Sequence, residues 1–140
     1  MKQNNQTADF FGKSIFTYTR AMALDDGVLI DISETANEAG LKFPTAVTDT
    51  VWKRYIEWDQ DDNARQTYQD LSGRLWDVVW MARCGIIGSR KGIGNQTLFE
   101  LDCIPRDGET RTAQRTELKI HIGPGDTPEP VITIMLPNED

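Results

Sequence analysis

Apolar positions recur along this chain in two periods, and the changes between them mark its elements. MKQNNQTADF, residues 1–10, is mostly polar and without periodicity, and is expected to be a mobile tail. SIFTY, from Ser14, predicts a strand. Thr19 then caps a short helix over RAMALDD, which Gly27 ends in the left-handed conformation. VLIDI (Val28 to Ile32) predicts a second strand, and Ser33 caps the helix ETANEA, closed by Gly40. After Phe43-Pro44, Thr48 is placed to cap a helix running to about Trp58, with Val47, Val51, Tyr55 and Trp58 at three-to-four spacing. DQDDNARQ (Asp59 to Gln66) reads as a loop. Leu71, Leu75, Val78, Val79, Ala82 and Ile86 then form one apolar helical face, which Trp76 and Trp80 widen. Both tryptophans are expected at or beside the core, where truncation to alanine would cost about 3–5 kcal/mol.

GIIGSRKGIGN (Gly85 to Asn95) holds four glycines and predicts a loop, with Arg90 and Lys91 as an exposed basic pair. Three strands follow. In the second, Leu118, Ile120 and Ile122 alternate with Glu117, Lys119 and His121, giving one buried and one wet face. The third, VITIML (Val131 to Leu136), follows the tight GPGD connection. These elements predict an α+β fold, an antiparallel sheet of about five strands with helices packed on one face. Residues 11–140 are expected to be a single domain, a common size at this length.

A chain of 140 residues with 39% hydrophobic composition can bury a real core. No run approaches the roughly 18 apolar residues of a spanning helix, and no basic start followed by an apolar block precedes the domain. A cytoplasmic protein with no membrane contact is expected. Cys84 and Cys103 lie in unrelated apolar segments and read as buried thiols. The net charge of −7 is unevenly placed: Asp25 to Asp62 carries ten acids against Lys42, Lys53 and Arg54. From Ile120 onward there are four acids and neither lysine nor arginine. Such a balance makes direct nucleic-acid binding a poor expectation, because phosphate neutralisation calls for a basic footprint.

The chain offers little catalytic chemistry. His121 is its one histidine, on the wet side of a strand, and no Gly-x-Ser-x-Gly turn occurs. Neither C-x-x-C nor a histidine pair is present for zinc, so no metal is expected. Asp59, Asp61 and Asn63 match the early positions of a calcium loop, but Ala64 stands where glycine is needed and Asp70 where the bidentate glutamate belongs. One constellation is sharper. Tyr18-Thr19-Arg20 follows the first predicted strand and Glu129 opens the last, an order that resembles the layout of ADP-ribosyltransferases. That resemblance implies Arg20 on the phosphates of NAD and Glu129 on its ribose, although the family's Ser-Thr-Ser strand has no counterpart here.

Three longer motifs carry a different resemblance: YTRAMALDDGVLIDISETANEAG (Tyr18 to Gly40), RLWDVVWMAR (Arg74 to Arg83) and GPGDTPEPVITIMLPNED (Gly123 to Asp140). Together they resemble an uncharacterised family, a domain of unknown function encoded on bacterial plasmids, integrative elements and phages. That resemblance implies a mobile-element setting and supplies no catalytic residues. The leading expectation is a small acidic accessory protein, without a cofactor, that binds a host or element-encoded protein such as a defence enzyme. Its acidic surface is expected at Asp25, Asp26, Asp31, Glu34 and Glu38, complementary to a basic groove. An NAD-dependent transferase using Arg20 and Glu129 is the alternative. Oligomeric state is not legible.

Overall fold

A computed structural model describes residues 18–89 and 95–140. The expected tail, the strand from Ser14, and Arg90 and Lys91 lie outside the described residues. Thr19 accepts from the Met22 amide and starts α1 (Arg20–Asp25), after which Gly27 turns at φ 79°. β1 (Leu29–Asp31) leads into α2 (Ser33–Glu38), closed by Gly40 at φ 100°. Ser33 is the first helical residue rather than the cap, and its hydroxyl donates to Asp31 at 2.6 Å.

The next segment departs from expectation. Thr45–Thr48 is a strand, β2, buried along most of its length. Val47 shares helical spacing with Val51, but it belongs to the sheet. The helix begins only after Thr48, whose hydroxyl accepts from the Val51 amide: α3 (Asp49–Val51) winds into a π-helical turn (Trp52–Ile56). The segment read as an acidic loop also holds a helix, α4 (Gln60–Arg65). Asp59 and Asp62 form its capping box, each accepting from the other's backbone amide. α5 (Leu71–Gly88) runs through Gly85 instead of ending there. β3 (Gln96–Cys103), β4 (Gln114–Pro124) and β5 (Pro130–Met135) complete the fold.

The five strands form one sheet in the order β1-β2-β5-β4-β3. The fold is α+β, but the sheet is mixed: β2 and β5 run parallel, with Val47 opposite Ile134, and the other pairs are antiparallel. Register partners share a face, so Phe99, Leu118, Ile120, Ile134 and Val47 line one side, all buried. They join Ala36, Val51, Ile56, Val78, Val79 and Ala82 in the main core. The opposite side carries Lys119, Thr133 and Met135. Lys119 is 8% exposed, not on a wet face, because the C-terminal segment folds over it and the Glu139 carbonyl accepts from its ammonium. The Glu139 carboxylate holds that segment down by accepting from the Thr48 hydroxyl and the Leu136 amide.

Gly85 shows why the helix continues through a glycine. A Cβ there would stand 2.7 Å from Cβ of Phe99, so glycine lets α5 press directly onto β3. A buried arginine fixes the other end of α5, and a second, half-buried one ties the segment after β3 to the start of α4. Arg74 donates to the carbonyls of Ile56 and Ile104 and to the Gln69 side chain, beneath the ring of Trp58. Arg106 gathers three carboxylates, Glu57 at 2.9 Å, Asp59 at 3.0 Å and Asp62 at 2.7 Å. Burial opposes ionisation of Asp62, but hydrogen bonds from Arg106 and the Asp59 amide outweigh it and hold its pKa below the usual value.

Two predictions follow from these contacts. Gly85→Ala should destabilise the protein by about 1–3 kcal/mol in urea unfolding, despite the roughly 1 kcal/mol by which alanine favours a helix. A net gain would mean that α5 can back away from Phe99. The stability contributed by Asp62 is present above its unfolded pKa of about 4 and is lost as pH falls through the depressed folded value. Arg106→Met leaves that carboxylate buried at 6% exposure without its cation, so its folded pKa should rise above the unfolded one. The variant's stability deficit should then be largest near neutral pH and narrow toward about pH 4. A deficit that is flat across that range would show Arg106 to act by packing alone.

Candidate protein-binding surface

The tryptophans of α5 do not enter the core. Trp76 is 38% exposed and Trp80 40%. At roughly 100° per residue, Trp76, Trp80 and Ile87 fall on the side of the helix opposite Val78 and Ala82. The two indoles stack, with centroids 5.8 Å apart and planes 16° from parallel. The Arg83 guanidinium lies 5.0 Å from the Trp80 centroid, so the stripe reads Trp76, Trp80, Arg83 in order along the helix. Arg83 also joins α5 to α2. Its Nε would stand 3.1 Å from a Cβ on Gly40, and the left-handed glycine leaves it that room.

Beyond Gly40 lies α2 and, against it, an open groove of about 540 Å³. Leu41, Phe43 and Pro44 give it an apolar floor, Glu34, Asn37 and Glu38 line it from the helix, and Lys42 adds one cation to its wall. Glu34 sits in the first turn, where the helix dipole favours an acid, whereas Glu38 is in the last, where it does not. The described residues offer neither glutamate a salt bridge within 4.0 Å. Aromatic stripe, stacked arginine and carboxylate-lined groove are therefore neighbours on the outside of α2 and α5.

The other expected acids lie elsewhere. Asp31 accepts from the amide and hydroxyl of Ser33 and does not line the groove. Asp26 accepts from the Tyr18 hydroxyl at 2.8 Å, a bond that raises the phenol's pKa. Asp25 is exposed at the end of α1. Only Glu34 and Glu38 of the five belong to the groove.

Arg20 lines a different cleft, of about 660 Å³, with His121, Thr133 and Asp49 among its walls. Its guanidinium donates to the Thr133 hydroxyl at 2.7 Å and the Ile132 carbonyl at 3.0 Å. Burial lowers its pKa, against the opposing pull of Asp126 and Asp31. Asp126 also accepts from the first amides of α1, which anchors that helix to the β4–β5 connection. Glu129 is exposed on the same connection and does not line the cleft. Cys84 is exposed rather than buried, and Cys103 is half-buried with its thiol pKa raised by burial.

Among the described residues no helix is long and apolar enough to cross a membrane. Arg83 and Phe43 are the surface residues that sequence reading passed over; the angular position of Trp76 and Trp80 opposite Val78 was the available signal. With 38% of Trp76 and 40% of Trp80 exposed, alanine at either position should cost about 1–2 kcal/mol in urea unfolding, below the roughly 3–5 kcal/mol of a buried aromatic. A loss near that of a buried aromatic would return the stripe to a structural role.

A family model described as a family of unknown function (DUF6573) matches residues 7–140. Comparison with curated proteins and with solved structures gave no match.

Proposed function

The chain belongs to the DUF6573 family, and from that premise we propose that it acts as a protein-binding module whose α2–α5 surface docks on a basic partner. The observation that carries this reading is the stacked, exposed Trp76–Trp80 pair beside the Glu34 and Glu38 groove. Tryptophan and arginine dominate the energetics of protein interfaces, and such anchors work best inside a rim that supplies charge complementarity. The groove takes the aliphatic stem of a lysine or arginine along Leu41 and Phe43 while the cation meets Glu34 and Glu38, which outnumber Lys42 among its lining residues.

The motif resemblance adds a setting. We place the protein among cytoplasmic accessory proteins of plasmids, integrative elements or phages, and its partners among nucleic-acid-binding host or element proteins, which present basic grooves. The transferase alternative asks Arg20 and Glu129 to meet one NAD molecule. Arg20 is committed to Thr133 and Ile132, and Glu129 stays outside its cleft, so the binding reading is the better supported.

The test uses partners captured on the tagged chain. Glu34→Lys with Glu38→Lys should keep the fold and slow association about tenfold at low salt, with the salt dependence lost. Trp76→Ala with Trp80→Ala should instead speed dissociation. Unchanged association of the charge-reversed variant at low salt would sink the reading.

A further inference from the structure

The sheet ends on β3, and the geometry of that edge points to a second mode of recognition, independent of the α2–α5 surface. The Ile122 amide donates to the Asn95 carbonyl at 2.8 Å, and the register places Gln96 opposite His121. Hydrogen-bonded and non-hydrogen-bonded pairs alternate in an antiparallel ladder, so Thr97, Phe99, Leu101 and Cys103 turn their backbone groups toward β4. Gln96, Leu98, Glu100 and Asp102 turn theirs outward. Among the described residues no other backbone pairs with them. The edge is eight residues long and holds none of the lysine, proline or glycine that commonly blunts such edges.

Side chains say what would fit. Leu98 is 52% exposed, beside a hollow of about 700 Å³ that it shares with Pro137 and Lys119. Glu100 lies directly opposite Glu117, a like-charge pair that destabilises a ladder. Arg115 answers only part of this charge, bonding Asp102 at 2.8 Å and Glu100 at 3.1 Å while Glu117 stays without it. A second copy of this chain would bring further acids to the same row, at a net charge of −7 per chain. A basic strand would relieve it.

We propose that β3 receives an extended segment of a basic partner protein, which adds to the sheet as a sixth strand. An apolar residue of that segment sits beside Leu98, and a lysine or arginine two residues on sits beside Glu100.

The probe is a capped peptide, Thr-Leu-Thr-Lys-Thr-Lys-Thr, added to the full chain and followed by amide hydrogen exchange. The peptide should slow exchange at Gln96, Leu98, Glu100 and Asp102 and leave Phe99 and Leu101 unchanged, since these are already bonded to β4. Glu100→Lys pairs with Glu117 and keeps the fold, but should weaken the peptide about tenfold. The Glu34→Lys, Glu38→Lys variant should bind the peptide as the unmodified chain does, which separates this proposal from the α2–α5 reading. Protection at other amides, equal binding of a peptide with glutamate for lysine, or protection that grows with protein concentration in the absence of peptide would each overturn it.

Discussion

The guanidinium of Arg74 is the constraint on which the arrangement of this protein turns. It is buried, among the described residues no carboxylate bonds it, and its donors go to the Ile56 and Ile104 carbonyls and the Gln69 side chain, with the Arg54 carbonyl at longer range. Those carbonyls stand where regular structure stops: at the end of the π-helical turn and just past β3. Without Arg74 they would be buried acceptors lacking a donor, and the cation itself demands every one of them. Burial pushes its pKa down to about 10, so it stays charged at neutral pH. The face of Trp58, 4.3 Å away, completes its shell. Lysine could not replace it, since a compact ammonium cannot span acceptors set apart by a planar fork. The register of α5 against the sheet follows from this contact at one end and from Gly85 on Phe99 at the other.

How much of this was legible depends on whether a signal is local. Thr19 and Thr48 cap helices, and Gly27 and Gly40 take positive φ, because such chemistry is settled within a few residues. β2 was lost because a strand covered on both faces does not alternate, and Val47 also satisfied a helical spacing. α4 was lost because its capping box is built from two aspartates inside a polar run rather than from serine and glutamate. Gly85 carries the opposite of its propensity signal, since what matters is the partner strand. The parallel β2–β5 pair joins residues far apart in sequence, and no pattern along the chain announces it.

The acids divide by occupation. Asp59 and Asp62 cap a helix and hold Arg106, Asp31 orders Ser33, and Asp126 anchors α1. With Glu57 on Arg106, Asp26 on the Tyr18 hydroxyl and Asp49 beside Lys53, six of the ten acids between Asp25 and Asp62 have a partner within the fold. The argument from uneven charge therefore narrows to Glu34 and Glu38, whose positions the helix only half explains. Position, not abundance, distinguishes them.

The same reasoning applies to the aromatic stripe. A flexible exposed tryptophan would lose rotamer freedom on docking, but Trp76, Trp80 and Arg83 already brace one another along α5, with Arg83 set against Gly40. Less ordering cost then remains when a partner arrives. The two glutamates are not braced in this way, and their contribution falls on the approach of a cation rather than on its retention. A surface built of a rigid apolar stack and a soft acidic groove thus separates the two tasks of recognition, residence on α5 and attraction on α2, and Gly40 is the hinge of contact that keeps them side by side.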